Sequence, residues 1–183
     1  AYDTSGNQVS VTDANQHTTS FAYDDLNRPT RTTFHDGTFV ETTYDTLGRR
    51  VATRDQDGHL KEFAYDGLGR LVEVTEFLEY TGPDNPVRTD SSKVVTTRYE
   101  YDEAGNRIAQ TDAKDNTTRY QYDKLGRRTK RILPGGQMET YTYDPVGNML
   151  SKTDFNGSTT TYTYDEMNRL LEERAYTTHP SLS

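Results

Sequence analysis

A Tyr-Asp pair recurs eight times in this chain of 183 residues, and its spacing limits what the chain can fold into. The pairs begin at Tyr2, Tyr23, Tyr44, Tyr65, Tyr101, Tyr122, Tyr143 and Tyr164, so every step is 21 residues except one of 36 between Tyr65 and Tyr101. Self-similarity at such a period marks a repeat array, in which each unit buries surface against its neighbours.

Composition agrees with an array and not with a thick core. Hydrophobic residues make up 31% of the chain and the mean hydropathy is -1.00. A net charge of -8 would fit a disordered chain, but 14 Tyr and 6 Phe against 6 Pro point to ordered, largely aromatic packing.

Numbering each repeat from its Tyr as zero turns the sequence into columns. Position +1 is Asp throughout: Asp3, Asp24, Asp45, Asp66, Asp102, Asp123, Asp144 and Asp165. Position +4 holds Gly6, Asn27, Gly48, Gly69, Gly105, Gly126, Gly147 and Asn168, the two residue types that best tolerate a positive φ. Asp followed three residues on by Gly is the signature of a type I turn closed by a bulge, with the carboxylate capping local N–H groups. Each Tyr-Asp should therefore end a strand and open a turn.

A second turn signal lies at +13 and +14, as in Asp36-Gly37, Asp57-Gly58, Gly135-Gly136 and Asn156-Gly157. These dipeptides predict two-residue type I′ hairpins. Between the turns run Thr-, Tyr- and Val-rich segments such as Thr117–Tyr122, with the alternation of a strand. One repeat is thus two antiparallel strands and two turns.

The two turns together predict register. Both place a Tyr opposite +6, the repeat's own through the first turn and the next repeat's through the second. Arg50, Arg107 and Arg128 at +6 would then lie over or between Tyr rings. Phe21, Phe63, Tyr99, Tyr120, Tyr141 and Tyr162 stand two residues before a Tyr-Asp and share its face, completing an aromatic ladder. The +7 column (Val9, Val51, Val72, Ile108) is expected on the opposite face. Apolar residues at +3 (Leu26, Leu47, Leu68, Ala104, Leu125, Val146, Met167) are expected to tuck each turn onto a neighbour.

The expected fold is all-β: about fifteen tandem antiparallel strands, more than a twisted open sheet holds without curling into a wall or spiral. Residues 1–183 read as one array, a segment of a longer protein, with 76–92 inserted as an elongated hairpin or loop.

The units Tyr44-Asp45-Thr46-Leu47-Gly48-Arg49, Tyr65-Asp66-Gly67-Leu68-Gly69-Arg70 and Tyr122-Asp123-Lys124-Leu125-Gly126-Arg127 resemble the YD repeats of the RHS family, which includes bacterial polymorphic toxins, insecticidal toxin complex shells and teneurins. The resemblance covers nearly the whole chain. It implies a coiled β-sheet shell that encloses or scaffolds a C-terminal toxin, secreted or at the cell surface and bacterial. The partners it implies are the rest of that shell and its cargo. Bacterial members carry a self-cleavage motif ending in Asp-Pro-x-Gly; Asp144-Pro145-Val146-Gly147 matches that end but occupies the ordinary turn column, so no self-cleavage is expected.

Other readings are weaker on the residues. Basic residues are evenly scattered in an acidic chain, which speaks against nucleic acid. No apolar run is long enough for membrane insertion. There is no Cys, and His17 and His59 lack partners for a zinc site. Asp55-Gln56-Asp57-Gly58 lacks the further ligands of a calcium loop. No catalytic residue, cofactor or metal is expected. The competing reading is a glycan- or receptor-binding module that uses exposed rings, tested at Tyr120 and Tyr122. Exposed edge strands are expected to drive association between copies.

Overall fold

The computed structural model describes residues 1–78 and 93–176. Most of the 76–92 insertion lies outside the described residues. Among the described residues the chain is all-β, with fifteen antiparallel strands following one another in chain order in one unclosed sheet.

The chain divides into two compact units, Ala1–Thr97 and Arg98–Ser183. The first holds β1 (Ser10–Thr12), β2 (Thr18–Tyr23), β3 (Pro29–Thr33), β4 (Phe39–Tyr44), β5 (Arg50–Arg54), β6 (Leu60–Tyr65) and β7 (Leu71–Phe77). Strand β8 (Val94–Tyr101) crosses the boundary. The second unit continues with β9 (Arg107–Thr111), β10 (Thr117–Tyr122), β11 (Arg128–Ile132), β12 (Met138–Tyr143), β13 (Met149–Thr153), β14 (Thr159–Tyr164) and β15 (Leu170–Tyr176).

Through the first turn of each repeat, Tyr faces +6 every time: Tyr2↔Gln8, Tyr23↔Pro29, Tyr44↔Arg50, Tyr65↔Leu71, Tyr101↔Arg107, Tyr122↔Arg128, Tyr143↔Met149 and Tyr164↔Leu170. One step further the ladder skips a residue, since Gln121 faces Lys130 and leaves Thr129 out. Position +7 is therefore the extra residue of a β-bulge, not a regular member of the opposite face.

The second turn differs from the predicted type I′. The pairs beside it are +10 with +16, as in Thr12↔Thr18, Thr33↔Phe39 and Ile132↔Met138. The N–H of Asp13 donates to the His17 carbonyl and that of Gln16 to the Asp13 carbonyl, a loop one residue longer than expected. Positive φ falls on Gln16, Gly37, Gly58, Asp115, Gly136 and Gly157 at +14, but not on Gly135 at +13. Type I′ needs it at both. At +11, Asp13, Asp55, Asp112 and Asp154 cap the turn as the Tyr-Asp carboxylates do, while Phe34 and Leu133 hold the same position in a turn with the same backbone hydrogen bonds. Both turns of the repeat are one device, a type I turn with a bulge residue. Continuing the register from Arg31↔Glu41 then brings Tyr44 level with Arg28, not with Pro29.

Little of this sheet is fully buried. Among the described residues the buried apolar side chains are Ala109, Tyr120 and Tyr141, joined by Glu139. The +3 residues do not tuck inward: Leu26, Leu47, Leu68, Leu125, Val146 and Met167 are exposed at the turn tips. A type I turn aims its second central residue away from the strands, and among the described residues no second layer covers it.

Candidate functional site

The residues that recur at the turns make one local network, repeated along each unit. Asp123 is typical. Its Oδ1 accepts the N–H groups of Leu125 (2.9 Å) and Arg127 (3.0 Å), and its Oδ2 accepts Arg127 Nε at 2.7 Å. Asp24, Asp45, Asp66 and Asp165 repeat the arrangement with Arg28, Arg49, Arg70 and Arg169. Asp3, Asp102 and Asp144 do so with the side-chain amides of Asn7, Asn106 and Asn148. The +4 residues close these turns with positive φ throughout, from 60° at Asn27 and Asn168 to 109° at Gly147.

These contacts hold the carboxyls below their ordinary value. For Asp24 the largest cause is the Arg28 side chain, for Asp66 the Arg70 backbone N–H, and for Asp102 the Asn106 amide. Carboxylates used this way accept hydrogen bonds and are not poised for acid–base chemistry at neutral pH. Asp144, within Asp144-Pro145-Val146-Gly147, is occupied likewise: its Oδ1 accepts from Val146, Gly147 and Asn148.

The +5 side chain then crosses to the next repeat. Arg28 lies 4.5 Å from the centre of the Tyr44 ring, Arg49 4.8 Å from Tyr65, and Arg127 4.9 Å from Tyr143. Arg127 Nη1 also donates to the Asp144 carbonyl at 2.6 Å. The Tyr hydroxyl completes the joint by donating back to the +6 carbonyl, from Tyr23 to Gln8, Tyr44 to Pro29, Tyr65 to Arg50, Tyr122 to Arg107, Tyr143 to Arg128 and Tyr164 to Met149. Asp and Arg of one repeat thus clamp the Tyr of the next.

This +5 column is what the sequence reading missed. It expected Arg at +6 to serve the Tyr-Asp rings, whereas the +6 guanidinium stacks on the aromatics two residues upstream. Arg107 lies between Tyr99 (5.6 Å) and Tyr120 (5.2 Å), and Arg128 between Tyr120 (5.9 Å) and Tyr141 (5.3 Å). Arg50 lies over Phe63. The available signal was composition, since +5 is only ever Arg or Asn: Asn7, Arg28, Arg49, Arg70, Asn106, Arg127, Asn148 and Arg169.

At Asn7 and Asn148 the +5 amide reaches a different acceptor. Asn7 Nδ2 donates to Asn27 Oδ1 at 2.7 Å, and Asn148 Nδ2 to Asn168 Oδ1 at 2.8 Å. A Cβ on Gly48 would instead lie 3.4 Å from Arg28 Nη1. Gly thus follows Arg in the joints Arg28–Gly48, Arg49–Gly69 and Arg127–Gly147, Asn follows Asn in Asn7–Asn27 and Asn148–Asn168, and Asn106–Gly126 shows that Gly also follows Asn.

One further cluster is internal to the second unit. Glu139 receives the Tyr141 hydroxyl at 3.0 Å and stands 3.3 Å from Lys152 and 3.5 Å from Arg131. Burial raises its carboxyl, but Tyr141 and the two cations outweigh that and lower it. Tyr162 closes the row of upstream rings on β14 and stays half-buried. His17 stacks on His35 at 4.0 Å. Asp55, Asp57 and His59 bring three exposed donor atoms together, yet Asp55 already caps its own turn by accepting the His59 N–H. Among the described residues no helix is long and apolar enough to cross a membrane.

With this geometry in hand, comparison with known proteins is informative. The family described as RHS Repeat matches residues 2–38, 44–78, 101–138 and 143–178. No curated protein sequence matches the chain. The crystal structure of TcdB2-TccC3-Cdc42 is similar in fold, with a TM-score of 0.57 and 20% identity over 93% of this chain and 11% of that one. The crystal structure of TcdB2-TccC3 gives a TM-score of 0.54 and 19% identity over 95% of this chain and again 11% of that one. The matched stretches cover well over half of the sequence and coincide with the repeats whose Asp, Arg and Tyr interlock, and so the chain belongs to the RHS repeat family.

Proposed function

We propose that this array is a wall segment of an RHS-type shell, coiled by the twist of its strands, which encloses or scaffolds a C-terminal toxin or effector in a secreted or surface-associated bacterial protein. The observation that carries the reading is the joint itself. The polar and aromatic groups that recur along the array are engaged by their own turn or by a neighbouring repeat, which leaves them structural work: Asp as cap, Gly or Asn as turn closer, Tyr as packing ring. The fold likeness to the TcdB2-TccC3 structures supports the reading. Tyr120 and Tyr141 are buried, so these rings are not offered to a sugar.

Protease protection tests the proposal. In the protein that carries this array, the segment C-terminal to it should resist digestion while the array is folded. It should become sensitive when the array is destabilised by replacing Asp123 and Asp144 with Ala. Equal sensitivity in both forms would sink the enclosure reading. Specific retention on a glycan array, lost in a folded Tyr122→Ala variant, would favour the binding module instead.

A further inference from the structure

The row of upstream rings has a gap in the first unit. Phe21, Phe63, Tyr99, Tyr120, Tyr141 and Tyr162 stand two residues before a Tyr-Asp, but the repeat of Tyr44 has Thr42 there. The gap falls beside a +6 Arg. Arg107 and Arg128 each lie between two rings, one from their own repeat and one from the next, whereas Arg50 has only Phe63, at 5.0 Å. The ring that would cover its other side is the one that Thr42 replaces.

A second large side chain is missing at the same place. Thr42 pairs across the strands with Thr53, and Thr53 with Lys61. In the second unit the rings Tyr99, Tyr120 and Tyr141 face the longer Gln110, Arg131 and Lys152. With Thr on both strands, a cavity of about 570 Å³ opens over β5 to β7, and Arg50, Thr53, Lys61, Phe63 and Glu76 are among its walls. It lies within the first unit and has the volume of a small-molecule site.

The charges around this cavity are unevenly satisfied. Lys61 is paired with Glu76 at 2.8 Å, and His59 with Asp55 at 3.2 Å. Arg50 is exposed, and among the described residues its guanidinium has no carboxylate and no hydrogen-bond acceptor. The +5 column shows what a guanidinium takes in this array. Arg28, Arg49 and Arg127 each hold a carboxylate at the edge and a Tyr ring on the face. A planar cation with one face and its edge donors unfilled selects a π-ring and an anion, and a saturated sugar ring supplies neither.

We propose that the cavity binds a small aromatic carboxylate. Its ring occupies the place left by Thr42 and stacks on the open face of Arg50, while its carboxylate accepts from the edge of the same guanidinium. The inference stands on the geometry of the first unit and does not depend on the enclosure of any cargo.

NMR of the arginine Nε–H groups during titration of the 183-residue chain with 4-hydroxyphenylacetate tests it. The Arg50 signal, identified by its loss in R50A, should shift saturably, while those of Arg107 and Arg128, already between rings, should stay in place. Cyclohexylacetate has the carboxylate without a π-face, and 4-hydroxyphenylacetamide has the ring without the charge; each should bind at least about fivefold more weakly. Calorimetry should find R50A weakened at least about tenfold. T42Y restores the ring, so it should raise the melting temperature and abolish the Arg50 shift. Absence of a saturable Arg50 shift in the wild type would overturn the proposal. So would equal affinity for either control compound, or wild-type binding by R50A or T42Y. Circular dichroism checks the fold of both variants. Should R50A unfold, R50K, which keeps the charge but not the planar stack, takes its place with the same expected loss.

Discussion

At the scale of single residues, the eight Tyr-Asp carboxylates work only when ionised. Their native values are lowered, at Asp24 chiefly by the Arg28 side chain and at Asp165 chiefly by the Arg169 backbone N–H. A carboxyl lowered by folding contributes stability that is present above its unfolded value and lost as pH falls through the native one. Thermal melts should therefore show the loss beginning below about pH 4 and deepening on further acidification. A melting temperature that holds to strong acid would refute the capping role. The turn-closing residue makes the second prediction. Gly126 has φ of +75° and a Cβ there would stand 3.2 Å from Asn106 Oδ1, so Gly126→Val should cost about 1 kcal/mol or more in a denaturant titration. These columns were legible in the sequence because Asp and Gly act on their own backbone, within four residues.

At the scale of the element, the two hairpin loops turn out to be alike, which dipeptide reading did not show. Asp-Gly and Asn-Gly serve both a two-residue type I′ loop and the last half of a bulged type I loop. Asp13, Asp55, Asp112 and Asp154, two positions upstream, mark the bulged loop in four repeats, but Phe34 and Leu133 stand there in two others that turn the same way and carry no such signal. The Gly135-Gly136 loop separates the alternatives. Gly136→Ala should destabilise by about 1 kcal/mol, its φ being +85°, while Gly135→Ala should cost far less once the flexible Gln137 side chain moves aside. Equal losses at both would restore the type I′ assignment. The Arg joints were harder to see, because an Arg and the Tyr it covers are 16 residues apart, as Arg127 and Tyr143 are. Here Arg127→Lys should lower the melting temperature even though the charge beside Asp123 is kept, since only the guanidinium both forks to the carboxylate and lies flat on the ring. An unchanged melt would mean that the ion pair alone holds the turn.

At the scale of the whole molecule, the strand order follows directly from the period, but where protection concentrates does not. The most buried side chains among the described residues gather on β9, β10 and β12 as Ala109, Tyr120, Glu139 and Tyr141, while β15 is exposed along its length. In an array whose stability is a sum of repeat and neighbour terms, protection should grade accordingly. Native-state hydrogen exchange should be slowest in β10 and β12 and fastest in β15, and uniform protection would contradict the grading. The matched joints carry one more consequence. Each 21-residue unit contains both a Tyr to be clamped and an Asp-Arg or Asp-Asn to clamp with, so loss or duplication of one whole period leaves a ring for every clamp, although loss of the unit that begins at Tyr143 would set Arg127 against Asn168. A slip by another length moves the ring out of the place that a 21-residue step gives it, and the 36-residue step from Tyr65 to Tyr101 is the exception within this sequence. Copy number in such an array is free to drift in units of the repeat, while the reading frame of the repeat is not.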